Sequence, residues 1–321
     1  MVRVLSDDDV AALLDLPDLL DVLAEAFVAQ AEGRVERPDR PHFPVGEGIE
    51  NGPLGTGLTM PAYIHGAPYY ATKLASVHEG NADRDLPTVN AQIALTDAVT
   101  GQPVAYMAGT RVTNARTGCI GGLAVRALAP DPVDLAVVGA GTQARWQTRA
   151  IAAAADVERV RVYSPSDSRE ACAADLRAEL DLPVEAVTSP KAAVEGASVV
   201  VTATTSTEPV FPGDALEPDA LVVAVGAYTA AMRELDARTI ERAVRVVADV
   251  PEEAVETGDL RESGLAVADL VALGDVLAGR VERPEGIVVV ASVGSAVLDA
   301  AAATHLYEAA RAADRGTDCP L

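Results

Sequence analysis

A short apolar run that breaks into a glycine-rich turn constrains the fold of this chain more than any other feature. Residues 135–138 predict a buried strand, and the segment Gly139-Ala140-Gly141-Thr142-Gln143-Ala144 leads from it into a helical pattern. In this G-x-G-x-x-A pattern the first glycine permits a tight turn, the second lets the backbone approach a pyrophosphate, and the alanine allows close helix packing. The helix N-terminus favours phosphate. The sequence therefore predicts a dinucleotide-binding unit, with Gly139, Gly141, Thr142, Gln143 and Ala144 as cofactor contacts.

The patterns before and after this turn differ. Before it, short strands are predicted at residues 58–63, 69–77, 91–97 and 103–107, with a hairpin turn at Thr100-Gly101 and a helix at 114–128. From residue 135 on, strands at 135–138, 160–163, 198–202, 221–225, 245–248 and 286–290 alternate with helices. A helix from the cap Ser6, a loop over 34–55 and a helix over 295–313 complete the prediction. The alternation is typical of a doubly wound parallel sheet in an α/β protein, and 321 residues suit two domains.

The charge balance excludes several classes of partner. The formal net charge is −23, and Lys73 and Lys191 are the only lysines. So acidic a surface repels nucleic acid and anionic membranes, and the apolar runs are too short to cross a bilayer. Three cysteines far apart predict neither a disulfide framework nor a metal site, and we expect a cytoplasmic protein. The acidic excess also predicts a halophilic protein; the alternative is the residue bias of a GC-rich genome.

Short motifs spaced along nearly the whole chain carry a family resemblance. They are Thr59-Met60-Pro61-Ala62, the Lys73 strand, Leu86-Pro87-Thr88, residues 94–103, residues 113–117, residues 138–144, residues 204–206, residues 225–227, residues 232–236 and residues 292–296. In this order the chain resembles the ornithine cyclodeaminase/mu-crystallin family, which also holds archaeal-type alanine dehydrogenases and cyclic ketimine reductases. The resemblance implies a homodimer, with a Rossmann sheet (125–293) inserted into a smaller α+β dimerisation and substrate domain (1–124 plus 294–321).

The resemblance also assigns roles to a few cations. Lys73 lies within an apolar strand, where a charge is costly unless it has a task. It is implied to bind the substrate carboxylate and to polarise the adjoining C=O or C=N bond; the alternative is an edge-strand lysine facing solvent. Arg116, predicted to open a helix, matches a carboxylate-binding arginine, or else makes a surface ion pair. Arg40 is the candidate for a second carboxylate arginine, and Arg37 is nearly as good.

Further residues are implied to contact the cofactor. They are Thr88 near the nicotinamide, Thr117 as a cap or phosphate contact, and Thr204, Ser206 and Gly226. The residues after the second strand of the predicted Rossmann sheet bear on NAD against NADP. Ser164 and Ser166 stand where an acid would hold the ribose of NAD, and neutral hydroxyls with Arg169 nearby do not repel a 2′-phosphate. The sequence thus leans slightly to NADP, although Asp167 would reverse this if the strand ended later.

Two absences bear on the substrate. Ornithine-specific members carry a Glu before the Met-Pro pair and an Asp after the fifth strand, and Leu58 and Tyr228 occupy these positions here. Tyr228 is a candidate proton donor or pocket residue, with simple packing as the alternative. We therefore expect an NAD(P)-dependent oxidoreductase acting on a small α-keto or α-imino acid, of the alanine dehydrogenase or cyclic ketimine reductase type.

Two alternative functions stay open at this point. The first is an ornithine cyclodeaminase, which converts ornithine to proline and ammonia and recycles its NAD. The second is a mu-crystallin-like ligand-binding protein, but a pure carrier needs no cation such as Lys73 to polarise an imine.

Overall fold

The computed structural model describes residues 1–49, 52–84 and 86–320, and the chain forms two compact units. The flanking unit consists of Met1–Arg116 with Ala296–Leu321, and the inserted unit is Thr117–Ser295. The division therefore lies at 116/117 and 295/296, whereas the sequence places the functional domains at 124/125 and 293/294. Those functional boundaries stay a prediction.

The chain contains these strands and helices, in chain order. The strands are β1 (Val2–Leu5), β2 (Val35–Glu36), β3 (His42–Val45), β4 (Gly55–Ile64), β5 (Tyr69–Val77), β6 (Val89–Asp97), β7 (Pro103–Ala108), β8 (Val133–Val138), β9 (Val157–Tyr163), β10 (Val184–Val187), β11 (Val199–Thr202), β12 (Leu221–Ala224), β13 (Ala243–Ala248), β14 (Leu270–Ala272), β15 (Ile287–Ala291) and β16 (Thr317–Cys319). The helices are α1 (Asp7–Leu13), α2 (Leu16–Ala31), α3 (Gly109–Leu128), α4 (Thr142–Ala154), α5 (Ser168–Leu180), α6 (Pro190–Val194), α7 (Ala237–Arg242), α8 (Pro251–Ala254), α9 (Leu273–Leu277) and α10 (Ala296–Ala312).

The flanking unit is built on an eight-stranded sheet in the order β16-β1-β7-β6-β5-β4-β2, with β3 also paired to β4. One face is covered by α10, which packs on β4, β5 and α2. Because paired residues point to the same side of a sheet, the strand register defines a buried row across five strands. The row is Met60, Lys73, Ile93, Met107 and Leu5. Lys73 is thus the one charged member of an otherwise apolar row.

Cap residues and a close approach explain two differences from the sequence prediction. The first helical segment is two helices, because Asp15 caps α2 by accepting a hydrogen bond from Asp18 N at 3.1 Å. Helix α3 begins at Gly109 rather than at 114, directly after β7. A Cβ at Gly109 would lie 2.9 Å from the carbonyl carbon of Ala91, so only glycine allows this immediate start.

The predicted loop over residues 34–55 is partly extended instead. It contains β2, which pairs antiparallel with the C-terminal end of β4, and β3, which pairs antiparallel with the N-terminal part of β4. Residues 50 and 51 of this segment lie outside the described residues.

The inserted unit is an eight-stranded parallel sheet in the order β10-β9-β8-β11-β12-β15-β13-β14. Its first six strands follow the 3-2-1-4-5-6 order of a doubly wound dinucleotide fold, with β15 in sixth place. Strands β13 and β14 extend the sheet beyond it. The predicted α/β fold with a doubly wound parallel sheet is confirmed. The strand order reverses between β8 and β11, and in such sheets ligands bind outside the carboxyl ends of the strands at this point.

No helix within the described residues has the length and apolar character that crossing a membrane requires.

Candidate functional site

The glycine-rich turn after β8 has the shape that a pyrophosphate requires. Gly139 has φ +125°, and a Cβ there would lie 2.4 Å from the Ala203 carbonyl oxygen. Gly141 is the N-cap of α4, and a Cβ on it would meet no heavy atom within 4 Å. Since Gly141 has no side chain, no side-chain hydrogen bond caps the first turn of α4, as suits a helix N-terminus that binds phosphate. Ala144 is buried, as close helix packing demands. These residues fit a dinucleotide phosphate.

The second candidate segment lies after β9, which ends at Tyr163. Ser164 therefore follows the strand directly, and its hydroxyl lies 3.4 Å from that of Ser166. The Arg169 Nη1 atom donates to the carbonyl oxygens of Ser164 at 3.3 Å and Ser166 at 2.8 Å. Asp167, which the sequence left as the alternative ribose ligand, has an almost fully exposed side chain. The segment thus presents hydroxyls and a guanidinium, and the exposed Asp167 carboxylate lies 3.4 Å from Arg169 Nη2.

The loops after β11 and β12 are joined by a carboxylate that the sequence prediction missed. Glu234 is fully buried and accepts hydrogen bonds from Thr204 N at 2.7 Å and Gly226 N at 2.8 Å. Ser206 N in turn donates to Thr204 Oγ1 at 3.2 Å. The structure therefore brings the cofactor candidates Thr204, Ser206 and Gly226 together at the carboxyl edge of the sheet. The sequence signal that pointed to Glu234 was an acidic residue between two apolar residues, Met232 and Leu235.

The flanking unit holds a buried cluster of two cations and one carboxylate. The Lys73 Nζ atom lies 2.7 Å from Asp299 Oδ2, and Arg116 Nε donates to Asp299 Oδ1 at 3.0 Å. Lys73 is 2% exposed and Asp299 is 1% exposed. We call Lys73, Arg116 and Asp299 the cation cluster. The sequence prediction named its two cations and missed Asp299, whose signal was an acid within the apolar, alanine-rich segment of α10.

The electrostatics of the cluster set the protonation of Lys73. Burial lowers the pKa of Lys73 to about 8; Asp299 opposes this shift, while the charges of Arg116 and Arg40 add to it. Burial alone would raise the pKa of Asp299, but Arg116 and Lys73 hold it below its ordinary value. Lys73 is therefore still an ammonium at neutral pH, and a stronger acid than an exposed lysine.

The remaining predicted site residues lie as follows. Arg40, half-buried between β2 and β3, is close enough for its charge to act on Lys73. Thr88 is exposed just before β6, and its carbonyl oxygen accepts from His78 N at 2.8 Å. Tyr228 is 43% exposed in the loop after β12. Leu58 is half-buried in β4, opposite Ala75.

Two predictions about α3 were wrong because the helix starts at Gly109. Arg116 does not open a helix but lies in its interior, and Thr117 cannot be a helix cap. The Thr117 carbonyl oxygen accepts instead from Gln147 Nε2 of α4 at 2.8 Å. A phosphate contact by Thr117 stays a prediction.

No group of three or more His, Cys, Asp or Glu side chains suited to a metal ion occurs within the part of the chain that the structure describes. Cys119 and Cys172 are buried free thiols, and burial raises the pKa of Cys119 to about 12. Such a thiol stays protonated and packs as a small apolar side chain.

Comparisons with known proteins agree with the observed fold and with the predicted family. The model of the "Ornithine cyclodeaminase/mu-crystallin family" matches residues 2–314. The chain is 36% identical to a Δ1-pyrroline-2-carboxylate/Δ1-piperideine-2-carboxylate reductase of Azospirillum brasilense, covering 96% of each chain.

Two solved structures are similar over almost the whole chain. One is the Δ1-pyrroline-2-carboxylate reductase of Thermococcus litoralis in complex with NADH and L-proline, with a TM-score of 0.92, 28% identity, and coverage of 99% of this chain and 100% of that one. The other is an archaeal alanine dehydrogenase dimer with bound NAD, with a TM-score of 0.88, 29% identity, and 98% of each chain covered.

The turn after β8 yields a prediction about nucleotide binding. Gly141→Val adds a side chain into space that no protein atom occupies, so we expect the protein to fold with an unchanged melting temperature. The same side chain would fill the position of the pyrophosphate, so NADH affinity should fall by about a hundredfold or more. Fluorescence titration with NADH and NADPH measures this. Gly80→Val is the matched control, since a Cβ at Gly80 would also meet no heavy atom within 4 Å and Gly80 lies in the flanking unit. Wild-type affinity in a folded Gly141→Val variant would refute the assignment of the turn.

Proposed function

The chain belongs to the ornithine cyclodeaminase/mu-crystallin family, and we propose that it reduces a cyclic α-imino acid of the Δ1-pyrroline-2-carboxylate type with NAD(P)H. The predicted enzyme class, an NAD(P)-dependent imine reductase, agrees with its relatives. The observation that carries the proposal is the buried cation cluster in the flanking unit. A reductase of a small α-keto acid with ammonia is the second candidate, favoured by the similarity to an archaeal alanine dehydrogenase.

The charge of the cluster suits an anionic substrate. Lys73 and Arg116 share the single carboxylate of Asp299, and the charge of Arg40 also acts on Lys73. Lys73 and Arg116 together therefore carry one more positive charge than Asp299 neutralises, in an apolar surrounding, and an α-carboxylate would neutralise it. Arg116 contacts Asp299 through Nε, so the planar Nη fork is the part of its guanidinium that we assign to the substrate carboxylate.

The protonated Lys73 gives the cluster its catalytic chemistry. Bound NAD(P)H supplies a hydride to the imine carbon. We assign Lys73 Nζ to the imine nitrogen, where its ammonium donates a hydrogen bond or a proton and makes the neighbouring carbon more electrophilic. Asp299 keeps Lys73 protonated, since its carboxylate opposes the effect of burial on the lysine pKa. Asp299 is thus a positioning residue for the catalytic lysine.

The same charges disfavour ornithine. The side chain of ornithine ends in an ammonium group, which needs a counter-charge in a closed site. Leu58 and Tyr228, at the positions where ornithine-specific members carry carboxylates, offer none. The excess positive charge of Lys73 and Arg116 over Asp299 would repel a second cation further. The ornithine cyclodeaminase alternative is therefore not our proposal.

The cofactor of the solved relatives is NAD or NADH. We propose that this chain accepts NADPH at least as well. Ser164 and Ser166 place hydroxyls directly after β9, and the Arg169 guanidinium is held beside them by two carbonyl oxygens. A guanidinium and neutral hydroxyls suit a 2′-phosphate, whereas the usual carboxylate of NAD-specific sheets would repel it.

We also propose that the protein is a homodimer that pairs through the outer face of the flanking sheet. The described side chains of one row on this face carry no charge, although the whole chain is strongly acidic. They are Pro61, Thr72, Ala94, Tyr106 and Val4. Tyr70 and Leu74 on the same face are 38% and 45% exposed. An uncharged, partly apolar patch on an acidic protein suits a second copy of itself, since a dimer joins equal patches.

The role assigned to Asp299 predicts a shift in pH dependence. Asp299→Asn removes the carboxylate that raises the Lys73 pKa, so the ammonium should deprotonate at lower pH. We expect the alkaline limb of kcat, near pH 8 in the wild type, to move down by about one pH unit or more. Glu308→Gln, on the exposed side of the same helix, is the matched control and should leave the profile unchanged. An Asp299→Asn enzyme with a wild-type pH profile would remove Asp299 from the mechanism.

The substrate proposal predicts which compounds oxidise NAD(P)H. We expect Δ1-pyrroline-2-carboxylate to give steady oxidation of NADPH and NADH, which is measured as the loss of the reduced cofactor's absorbance. Pyruvate with ammonia should be slower, and ornithine should give neither proline nor ammonia. Runs at low and high potassium chloride test the halophilic prediction in the same assay, because salt screens the self-repulsion of an acidic chain. Conversion of ornithine to proline at a rate comparable with imine reduction would overturn the assignment.

A further inference from the structure

A single buried carboxylate lies between the two loops at the carboxyl ends of β11 and β12. Glu234 Oε2 accepts hydrogen bonds from Thr202 Oγ1 and from Gly226 N, both at 2.8 Å, and Oε1 accepts from Thr204 N at 2.7 Å. Thr202 is the last residue of β11, and Gly226 is the second residue after β12. The sheet itself pairs the ends of these two strands, and the side chain of Glu234 bridges the loops that follow them.

The space around this carboxylate is closely filled. A Cβ at Gly226 would lie 2.5 Å from Glu234 Oε1 and 2.2 Å from the Thr204 carbonyl oxygen. Gly226 is thus needed for the two loops to approach each other around the carboxylate. The loops carry the cofactor candidates Thr204, Ser206 and Gly226, so their spacing is also the spacing of these candidates.

The backbone that carries Glu234 is itself held by a second buried carboxylate. Asp259 Oδ1 accepts from Glu234 N and Leu235 N, each at 2.7 Å. The adjacent Arg233 N donates to the Ser206 carbonyl oxygen at 2.8 Å. Hydrogen bonds therefore fix the backbone at Glu234. The contacts between the two loops can then change through the protonation of its carboxylate.

We propose that Glu234 is a positioning residue for the nucleotide, whose ionised carboxylate holds the loops after β11 and β12 at the spacing that the cofactor requires. Taking up a proton would then weaken cofactor binding. The inference rests on the proposed function, because it presumes that NAD(P)H binds at this edge of the sheet. In a doubly wound sheet these two strands belong to the second mononucleotide-binding half, after the phosphate turn at β8.

The chemistry of the carboxylate explains why a proton matters. Three donors need three acceptor sites on two oxygens, which an ionised carboxylate provides. A protonated carboxyl group turns one oxygen into a donor and removes the negative charge, so the hydrogen bonds that it accepts from the two backbone N–H groups become weaker. Burial raises the pKa of Glu234 to about 7, the hydrogen bonds from Thr202, Gly226 and Thr204 oppose this, and the charge of Asp259 adds to it. The transition therefore falls in the neutral range.

Stability and binding should respond to pH in opposite directions. Because the pKa is higher in the folded than in the unfolded chain, the folded protein holds this proton over a range where the unfolded chain has lost it. The contribution of Glu234 to the free energy of unfolding is then present at acid pH and is lost as pH rises towards 7. Cofactor affinity should instead rise over the same range.

The test is NADH affinity as a function of pH, measured by fluorescence titration from about pH 5.5 to about pH 8.5. Wild-type affinity should fall on acidification with a midpoint near pH 7. Glu234→Gln places an amide NH₂ group against a donor that the carboxylate had accepted from. This variant should therefore bind NADH about tenfold more weakly at pH 8 and show no such midpoint. Thr202→Val removes one hydrogen bond that favours the ionised form, and should move the midpoint to higher pH. Glu241→Gln, at the surface of α7, is the matched control and should behave as the wild type.

The outcomes separate this inference from the proposed function. A wild-type protein that binds neither NADH nor NADPH at any pH overturns both. Binding with a flat pH profile, or with the same midpoint in Thr202→Val, overturns the role of Glu234 alone. If circular dichroism shows that Glu234→Gln does not fold, Thr202→Val decides the question. The difference in free energy of unfolding between the wild type and Glu234→Gln, measured without nucleotide as a function of pH, is an independent readout. A wild-type advantage that grows as pH rises towards 7 contradicts the inference.

Discussion

The burial of two opposite charges, Lys73 and Asp299, is the constraint that the rest of the flanking unit accommodates. The pair lies under α10 in a row of apolar side chains, where neither charge has water to solvate it. Desolvating two charges costs several kcal/mol per ion, and only close geometry offsets this cost. The pairing brings together β5 and the helix near the end of the chain. The apolar packing of α10 on β4, β5 and α2 holds these two parts of the chain in one compact unit, and the charge pair lies within that packing.

The inserted unit arranges its charges differently. At the start of α4 it offers N–H groups without any side-chain cap, which suits phosphate. At the carboxyl ends of the later strands it uses buried carboxylates to fix the loops instead. Asp249 accepts from Ser292 Oγ at 2.7 Å and from Gly294 N at 2.8 Å, much as Glu234 holds the loops after β11 and β12. Buried carboxylates thus fix the loops at the carboxyl edge of the sheet, while the backbone N–H groups at the start of α4 suit a phosphate group.

Local patterns in the sequence predicted those parts of the structure that local physics decides. The glycine-rich turn, the parallel sheet and the strand Tyr69–Val77 follow from periodicity and turn chemistry. The start of α3 was missed because it depends on the approach of Gly109 to Ala91 on another strand. Asp299 was missed because its partners lie far away in sequence, Arg116 being 183 residues distant. A pattern within one segment carries no information about which charges pair between segments that are distant in sequence.

The most direct test of the account is the combined stability and turnover of Lys73→Met. If Lys73 is buried for catalysis, an apolar side chain in its row should leave the free energy of unfolding equal or raise it, because Asp299 stays paired with Arg116. Turnover of the imine should fall by about a hundredfold or more, as expected for loss of a general acid. Denaturant unfolding and steady-state kinetics on the same preparation give both values. Wild-type kcat, or a loss of several kcal/mol of stability, would contradict the account and make Lys73 a structural residue.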